Sequence, residues 1–249
     1  MSQNICVITG ASSGIGAALA TLLASQGDTV VLVARRENEL KAVAARCGDR
    51  AVAMIADVTS RAAVARVVQD TIARFGRIDV WVNNVGQGIS LQPSQLTDQD
   101  IDDIMTVNVK TALYGMQETL EHFKSRGEGQ IINVSSMLGR VPFATFRSAY
   151  CGAKHFLNAL TATFRAEVQA THPAIQYTLV SPGVVRTEFG LNARHGGVDS
   201  RTLPNSQSAE EVAEVIAKVM ITRQADVYTR VGARQMVLDY LGGLAADIS

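Results

Sequence analysis

Apolar positions along this chain fall into two alternating patterns. Short, nearly uninterrupted runs rich in Val and Ile occupy residues 5–9, 29–34, 51–56, 80–83, 130–135, 176–181 and 226–229. Runs that lack the in-out alternation of a half-solvated strand are buried on both faces, as in a parallel sheet. Between them, residues 15–26, 37–46, 61–75, 98–125, 149–171 and 209–222 carry apolar positions at helical spacing. Parallel strands need crossover connections, and helices that make those crossovers cover both faces of the sheet. The expected fold is α/β, a doubly wound parallel sheet of about seven strands with helices on both faces.

Local signals sharpen some boundaries. Ser208 and Glu211 have the spacing of a capping box, in which each side chain satisfies the other residue's free backbone N–H. Thr59 and Thr97 stand ahead of their helical segments as further caps. No internal repeat, low-complexity tract or Pro/Gly-rich linker divides the sequence, so residues 1–249 read as one domain. The stretch 188–207, containing Gly190, Gly196, Gly197 and Pro204, has no periodicity. A loop that long in a compact domain is either functional or disordered. Its place after the sixth strand makes it a candidate substrate-binding lid, with disordered decoration as the alternative.

Composition narrows the class. At 249 residues, 47% of them hydrophobic, the chain has enough apolar content for one large core. Its 23 basic residues balance 23 acidic ones, so no net field selects a nucleic acid or an anionic membrane. Cys6, Cys47 and Cys151 are odd in number and widely spaced, which fits a reduced compartment. Residues 1–8 lack the basic flank and long apolar stretch of a signal peptide, and no apolar run reaches spanning length. The expectation is a soluble, cytoplasmic protein with no nucleic-acid or membrane partner. No His or Cys spacing suggests a metal site.

The first apolar run leads directly into Thr9-Gly10-Ala11-Ser12-Ser13-Gly14-Ile15-Gly16 and then a helix containing Ala17, Ala18 and Ala20. Glycines there allow a tight turn and let a pyrophosphate approach free backbone N–H groups at the positive end of a helix. The Gly-x-x-x-Gly-x-Gly spacing differs from the more general Gly-x-Gly-x-x-Gly fingerprint. It resembles the cofactor turn of the short-chain dehydrogenase/reductase superfamily, whose sheet is Rossmann-like. Motifs in matching order extend the resemblance from about residue 5 to residue 187.

Asp57-Val58 resembles the pair that contacts the adenine ring in that family. Asn83-Asn84-Val85-Gly86 resembles its Asn-Asn-Ala-Gly, with Val85 in place of alanine. Members that prefer NAD carry an acidic residue at the end of the second strand to hold the ribose hydroxyls. This chain has Ala34-Arg35-Arg36 there, and a guanidinium fork at Arg35 or Arg36 is suited to a 2′-phosphate. The resemblance therefore implies NADP(H), although Ser13 stands where many NADP-dependent members have a second basic residue. NAD(H), with both arginines solvated, is the alternative.

The chemical centre follows the same resemblance. Tyr150 and Lys154 are four residues apart, on one face of a helix, so the ammonium can reach the phenol. A nearby cation stabilises phenolate and lowers a tyrosine pKa toward the working pH. The resemblance implies Tyr150 as general acid/base, Ser136 as the donor to the substrate oxygen, and Lys154 as the holder of the nicotinamide ribose. It implies Asn108 as the link from Lys154 to a water chain. Ser136 is chosen over Ser135 because Met137-Leu138-Gly139 completes a Ser-x-x-Gly pattern, and the interval from Ser136 to Tyr150 requires a bulged loop. Arg147 and His155 flank the tyrosine, and His155 reads as a surface or packing residue.

Pro182-Gly183-Val184-Val185-Arg186-Thr187 resembles the family's Pro-Gly-x-x-x-Thr segment. It implies that the Val185 backbone meets the nicotinamide carboxamide and that Thr187 meets the carboxamide or the pyrophosphate. Cofactor candidates are thus Gly10, Ser12, Ser13, Gly14, Ile15, Gly16, Arg35, Arg36, Asp57, Val58, Asn84, Val85, Gly86, Tyr150, Lys154, Pro182, Gly183, Val185 and Thr187. The expected activity is hydride transfer between NADP(H) and a carbonyl or secondary alcohol. Gln87, Gly88, Leu138, Val141, Phe143, Phe146, Phe189 and Leu191 suggest a lipophilic pocket. A non-catalytic nucleotide-binding regulator is the alternative from another class. The family resemblance also implies a homodimer or homotetramer joined through the helices that carry Asn108 and Tyr150. Residues 232–249 match no motif.

Overall fold

A computed structural model describes residues 3–244. Seven strands form one sheet in the order β3-β2-β1-β4-β5-β6-β7, and every neighbouring pair is parallel. They are β1 (Ile5–Thr9), β2 (Thr29–Ala34), β3 (Ala51–Ile55), β4 (Val80–Asn83), β5 (Gly129–Val134), β6 (Ile175–Ser181) and β7 (Asp226–Tyr228). The helices are α1 (Gly14–Ser25), α2 (Glu37–Cys47), α3 (Arg61–Phe75), α4 (Asp98–Met105), α5 (Thr111–Arg126), α6 (Ser148–Gln169), α7 (Ala209–Thr222) and α8 (Ala233–Gly242).

Alternate residues of each central strand enter opposite layers. Cys6, Ile8, Val30, Leu32, Val80 and Val82 pack with α1 and α7, while Val7, Val31, Val33, Trp81, Ile131 and Tyr177 pack with α3, α5 and α6. This double burial is the physical cause of the uninterrupted apolar runs. The strand order reverses direction between β1 and β4, and in such sheets the crevice at the strand carboxyl ends is where ligands bind.

Two boundary expectations change. The helical stretch 98–125 is broken by a π-turn at Thr106–Lys110, because one extra residue widens a turn without erasing the apolar stripe that periodicity detects. Ser60, rather than Thr59, caps α3, accepting from the Ala63 N–H at 3.4 Å. Thr59 is drawn to the Asp57 carboxylate, a stronger charged acceptor, at 2.8 Å. Thr97 closes a capping box with Asp100, and Ser208 closes one with Glu211.

Beyond β7, α8 sets Ala233 and Val237 against Met137 and Val141, so part of the segment without a motif covers the loop after β5. Residues 245–249 of that segment lie outside the described residues. No described helix is long and apolar enough to cross a membrane.

Candidate functional site

The loops after β1 and β4 meet at the switch point. Asn84 Nδ2 donates to the carbonyls of Thr9 (3.1 Å) and Gly10 (3.3 Å), and the Asn84 N–H donates to Thr9 Oγ1 at 3.0 Å. A Cβ on Gly16 would lie 2.5 Å from the Gly10 carbonyl and 2.7 Å from Asn84 Nδ2. Gly10 and Gly14 adopt φ of 66° and 55°, the left-handed region that glycine enters without strain. Val85 packs against Gly10, and Ile15 packs into the layer beneath α1. Ser13 is the N-cap of α1 but makes no side-chain capping bond, leaving the positive helix end open.

The Pro182-Gly183 turn carries the chain from β6 back over this cradle. The Pro182 carbonyl accepts from the Met137 N–H at 2.8 Å, and Gly183 leaves room for Arg230. Val185 is buried and bridges to Gln207, while Thr187 Cγ2 lies 3.2 Å from where a Cβ of Gly14 would stand. The following segment, 188–207, is fastened to α4. Asp100 Oδ1 accepts from Arg194 Nε at 2.6 Å and His195 Nε2 at 2.8 Å, and Arg194 also pairs with Asp103 at 2.5 Å. These partners, His195 first, hold the Asp100 carboxyl well below the usual carboxylate range.

The two arginines after β2 separate in space. Arg36 Nη2 donates to Ser12 Oγ at 3.0 Å and Ser13 Oγ at 2.7 Å, which puts its guanidinium on the glycine turn. Arg35 lies 4.0 Å from Asp57 with both side chains largely exposed, a pairing of little energetic weight. Asp57 itself accepts from Thr59, and Val58 is buried in the α3 layer.

At the carboxyl ends of β4 and β5, buried amides form a continuous chain. Trp81 Nε1 donates to Asn83 Oδ1 (2.7 Å), Asn83 Nδ2 to Asn133 Oδ1 (2.8 Å) and Asn133 Nδ2 to Thr161 Oγ1 (2.8 Å). Above it, Ser135 Oγ donates to Asn158 Oδ1 at 2.5 Å, and Asn158 Nδ2 donates to the Gly139 carbonyl at 2.7 Å. Ser135 is thereby committed to structure. Ser136 caps the 3₁₀ turn Met137–Gly139, accepting from the Leu138 N–H at 3.1 Å, and stands near enough to the Tyr150 phenol to pull its pKa down. The extra length before Tyr150 is absorbed by a second 3₁₀ turn at Thr145–Arg147. Asn158 was not singled out from the sequence, yet its spacing of four from Lys154 places it on the stripe of Tyr150 and Lys154.

Tyr150 is 6% exposed and its ring centroid lies 5.5 Å from that of Phe189. Lys154, 2% exposed, donates to the Val134 carbonyl at 3.0 Å, with Nζ 5.7 Å from the Tyr150 ring centroid. Both Lys154 Nζ and Asn108 Oδ1 approach the missing Cβ of Gly86, at 3.6 and 3.1 Å. Asn108 sits in the π-turn, where Nδ2 donates to the Gln87 and Ile104 carbonyls and Oδ1 accepts from the Gln87 N–H. Asn108 and Lys154 therefore converge on Gly86 without bonding each other directly.

One electrostatic expectation is corrected. Burial pushes the Tyr150 phenol up to about 12, outweighing Ser136 and Arg147, which pull it down. Lys154 is not among the groups that shift it, and burial alone draws the amine down to about 8. Because the folded value lies below the ordinary 10.5, Lys154 contributes stability that is full above pH 10.5 and lost as pH falls toward 8. We expect Lys154→Met to stabilise the cofactor-free chain at pH 7 by about 2 kcal/mol, from a shift worth roughly 3 less the lost hydrogen bond. Thermal unfolding should show a gain of about 4–8 °C that vanishes above pH 10.5.

The expected pocket is only partly assembled. Leu138 and Phe189 join Tyr150 in one cluster, and Gly88 is buried beside Phe189. Val141 instead belongs to the cluster under α8, because the 3₁₀ turn redirects the chain after Ser136. Phe143, Phe146 and Leu191 are 62%, 41% and 45% exposed. Gln87 reaches the Asn192 carbonyl at 3.4 Å, and His155 turns its ring back to the Cys151 carbonyl.

A doubly wound parallel sheet with a glycine cradle at its switch point and a Ser-Tyr-Lys group beside it defines a dinucleotide-binding oxidoreductase architecture. The model of the short chain dehydrogenase family matches residues 4–196, and the chain belongs to that family. An uncharacterized oxidoreductase of Staphylococcus epidermidis is 35% identical over 190 residues, covering 75% of this chain and 80% of that protein. A short-chain dehydrogenase from Sphingobium yanoikuyae, solved with NADPH, is similar with a TM-score of 0.81 and 31% identity, covering 99% of this chain and 96% of that one. A 3-ketoacyl-(acyl-carrier-protein) reductase from Brucella melitensis, solved with NADH, has a TM-score of 0.76 and 25% identity, covering 87% and 90%.

Proposed function

We propose that this protein interconverts a carbonyl and a secondary alcohol with NADP(H) as hydride partner and Tyr150 as general acid/base. The observation that carries this reading is the convergence of Ser136, the buried Tyr150 phenol and Lys154 at the strand ends beside the glycine cradle. The cradle suits a dinucleotide, since Gly10, Gly14 and Gly16 keep side chains away from the open amino end of α1. When bound, the nicotinamide supplies or accepts the hydride. Gly10, Ser12, Ser13, Gly14 and Gly16 would hold the pyrophosphate, with Thr187 across from Gly14. Lys154 would hold the ribose, and Asn84, Gly86, Pro182 and Val185 would flank the ring.

Relatives of known structure bind either nicotinamide form, so the choice of NADP(H) rests on Arg36. Its guanidinium already lies on the Ser12 and Ser13 hydroxyls, where a 2′-phosphate offers a better, fully charged acceptor. Ser136 donates to the substrate oxygen while Tyr150 exchanges the proton. Reduction suits the protein at neutral pH, because burial keeps the phenol protonated. The segment 188–207, pinned through Asp100, closes the site against water. The test is absorbance at the reduced-nicotinamide band with a panel of ketones, aldehydes and 3-oxoacyl thioesters, run with NADPH and with NADH. Faster turnover with NADPH is the expected result; turnover with NADH alone would overturn the cofactor reading.

A further inference from the structure

Arg147 stands at the N-cap of α6, three residues before Tyr150, and is half-buried, with no carboxylate within 4.0 Å of it among the described residues. It donates one hydrogen bond, from Nη1 to the Ile89 carbonyl at 3.1 Å, out of the five N–H donors of a guanidinium. A methyl on Gly88 would collide with that same nitrogen and stand 3.1 Å from Phe189 Cε1, so Arg147 and Phe189 flank one glycine. Phe189 in turn packs on the Tyr150 ring. On the other side, a methyl on Gly197 would lie 3.2 Å from Arg147 Nη2 and 3.0 Å from Ser90 Oγ. The Ser90 oxygen is buried and has no hydrogen-bond partner. A cation and an unpartnered hydroxyl therefore sit together under the 188–207 segment, next to the proton-transfer residue.

Partial removal of a guanidinium from water costs free energy unless an anion and further hydrogen bonds offset it. Arg147 has the Ile89 carbonyl and the Phe146 ring, whose centroid lies 5.4 Å from Cζ, but no carboxylate among the described residues. We propose that Arg147, with the Ser90 hydroxyl beside it, is a carboxylate-binding subsite, and that the substrates are hydroxy acids and the corresponding oxo acids. This rests on the oxidoreductase reading above and replaces a purely lipophilic carbonyl with an amphipathic one. Arg147 Nη1 and Phe189 Cε1 flank Gly88 and Phe189 packs on the Tyr150 ring, which sets the carboxylate beside the reacting carbon. Leu138 and Phe189 face the apolar remainder. In oxidation the carbinol carbon gives its hydride to NADP⁺ and the hydroxyl proton passes to Tyr150. The products are the oxo acid, NADPH and one proton.

The test compares a series of hydroxy acids with their methyl esters, in which only the charge is removed, using NADP⁺ and following NADPH. The native protein is expected to favour the acid over its ester by at least tenfold in kcat/KM, mainly through KM. Arg147→Gln should collapse that ratio at least tenfold, and Arg147→Lys should restore part of it. Gly88→Ala, which displaces the guanidinium without removing it, should lower the ratio as well. Equal use of acid and ester by the native protein, or an unchanged ratio in Arg147→Gln, overturns the carboxylate subsite and leaves the oxidoreductase reading standing. If no substrate turns over, titration calorimetry with methylmalonate and succinate still decides the subsite. Binding weakened at least tenfold in Arg147→Gln supports it, and no binding to the native protein overturns it.

Discussion

Tyr150→Phe is expected to lower kcat at least a thousandfold while changing cofactor affinity by less than about threefold. Loss of a positioned acid/base group costs about 10²–10⁴ in rate, and the upper part of that range applies because no neighbouring acid can substitute. Ser135 is tied to Asn158, Ser136 has a hydroxyl that does not ionise near neutrality, and Lys154 Nζ is held on the Val134 carbonyl, 5.7 Å from the Tyr150 ring centroid. The phenylalanine ring keeps the packing on Phe189, so unfolding temperature is a control for the fold. The pH dependence follows from the same residue. Reduction needs the protonated phenol, which burial favours, so its rate falls as pH rises; oxidation needs the phenolate, so its rate climbs with pH. Stopped-flow reduction with NADPH and fluorescence titration of the cofactor check both halves, and turnover unaffected by the substitution removes Tyr150 from the mechanism.

Arg36→Glu is expected to raise KM for NADPH at least thirtyfold and to leave or lower KM for NADH. A hydrogen bond to a charged group contributes about 1.5–3 kcal/mol, which is about 10–150-fold, and the new carboxylate adds repulsion against the 2′-phosphate. The same carboxylate can accept from the 2′-hydroxyl of NADH, so preference should reverse rather than disappear. Arg35→Ala is expected to change either KM by less than about threefold, since its exposed pairing with Asp57 carries little energy. Steady-state kinetics with both cofactors on one substrate distinguish the arginines. A large effect at Arg35 and none at Arg36 would transfer the phosphate contact to the other residue.

These two tests probe features of unequal legibility. The Tyr150–Lys154 spacing is a local helical relation, visible in the one-dimensional chain, and so is the glycine pattern of the cradle. The choice between Arg35 and Arg36 is not, because consecutive residues at a strand end point in different directions and only the packed turn selects which reaches Ser12 and Ser13. Likewise the spacing suggested that Lys154 would govern the phenol, whereas the depth of burial, a property of three packed layers, does so. Arg147 could be set beside Tyr150 from sequence, but that no carboxylate pairs with it among the described residues is a statement about every described segment around it.

The sequence by itself determined the alternation of buried strands with helices, the parallel sheet, the cap at Thr97 and the capping box at Ser208, and the family motifs in their order. Each is set by short-range spacing: period, cap chemistry or a few residues of turn geometry. Tertiary structure alone decided the π-turn that presents Asn108 to Gln87, the commitment of Ser135 to Asn158 and the diversion of Val141 beneath α8. It alone decided the fastening of 188–207 through Asp100 as well. Those depend on contacts between residues from 21 to 95 positions apart, whose partners no local pattern encodes, and on a desolvation that exists only once the layers have closed.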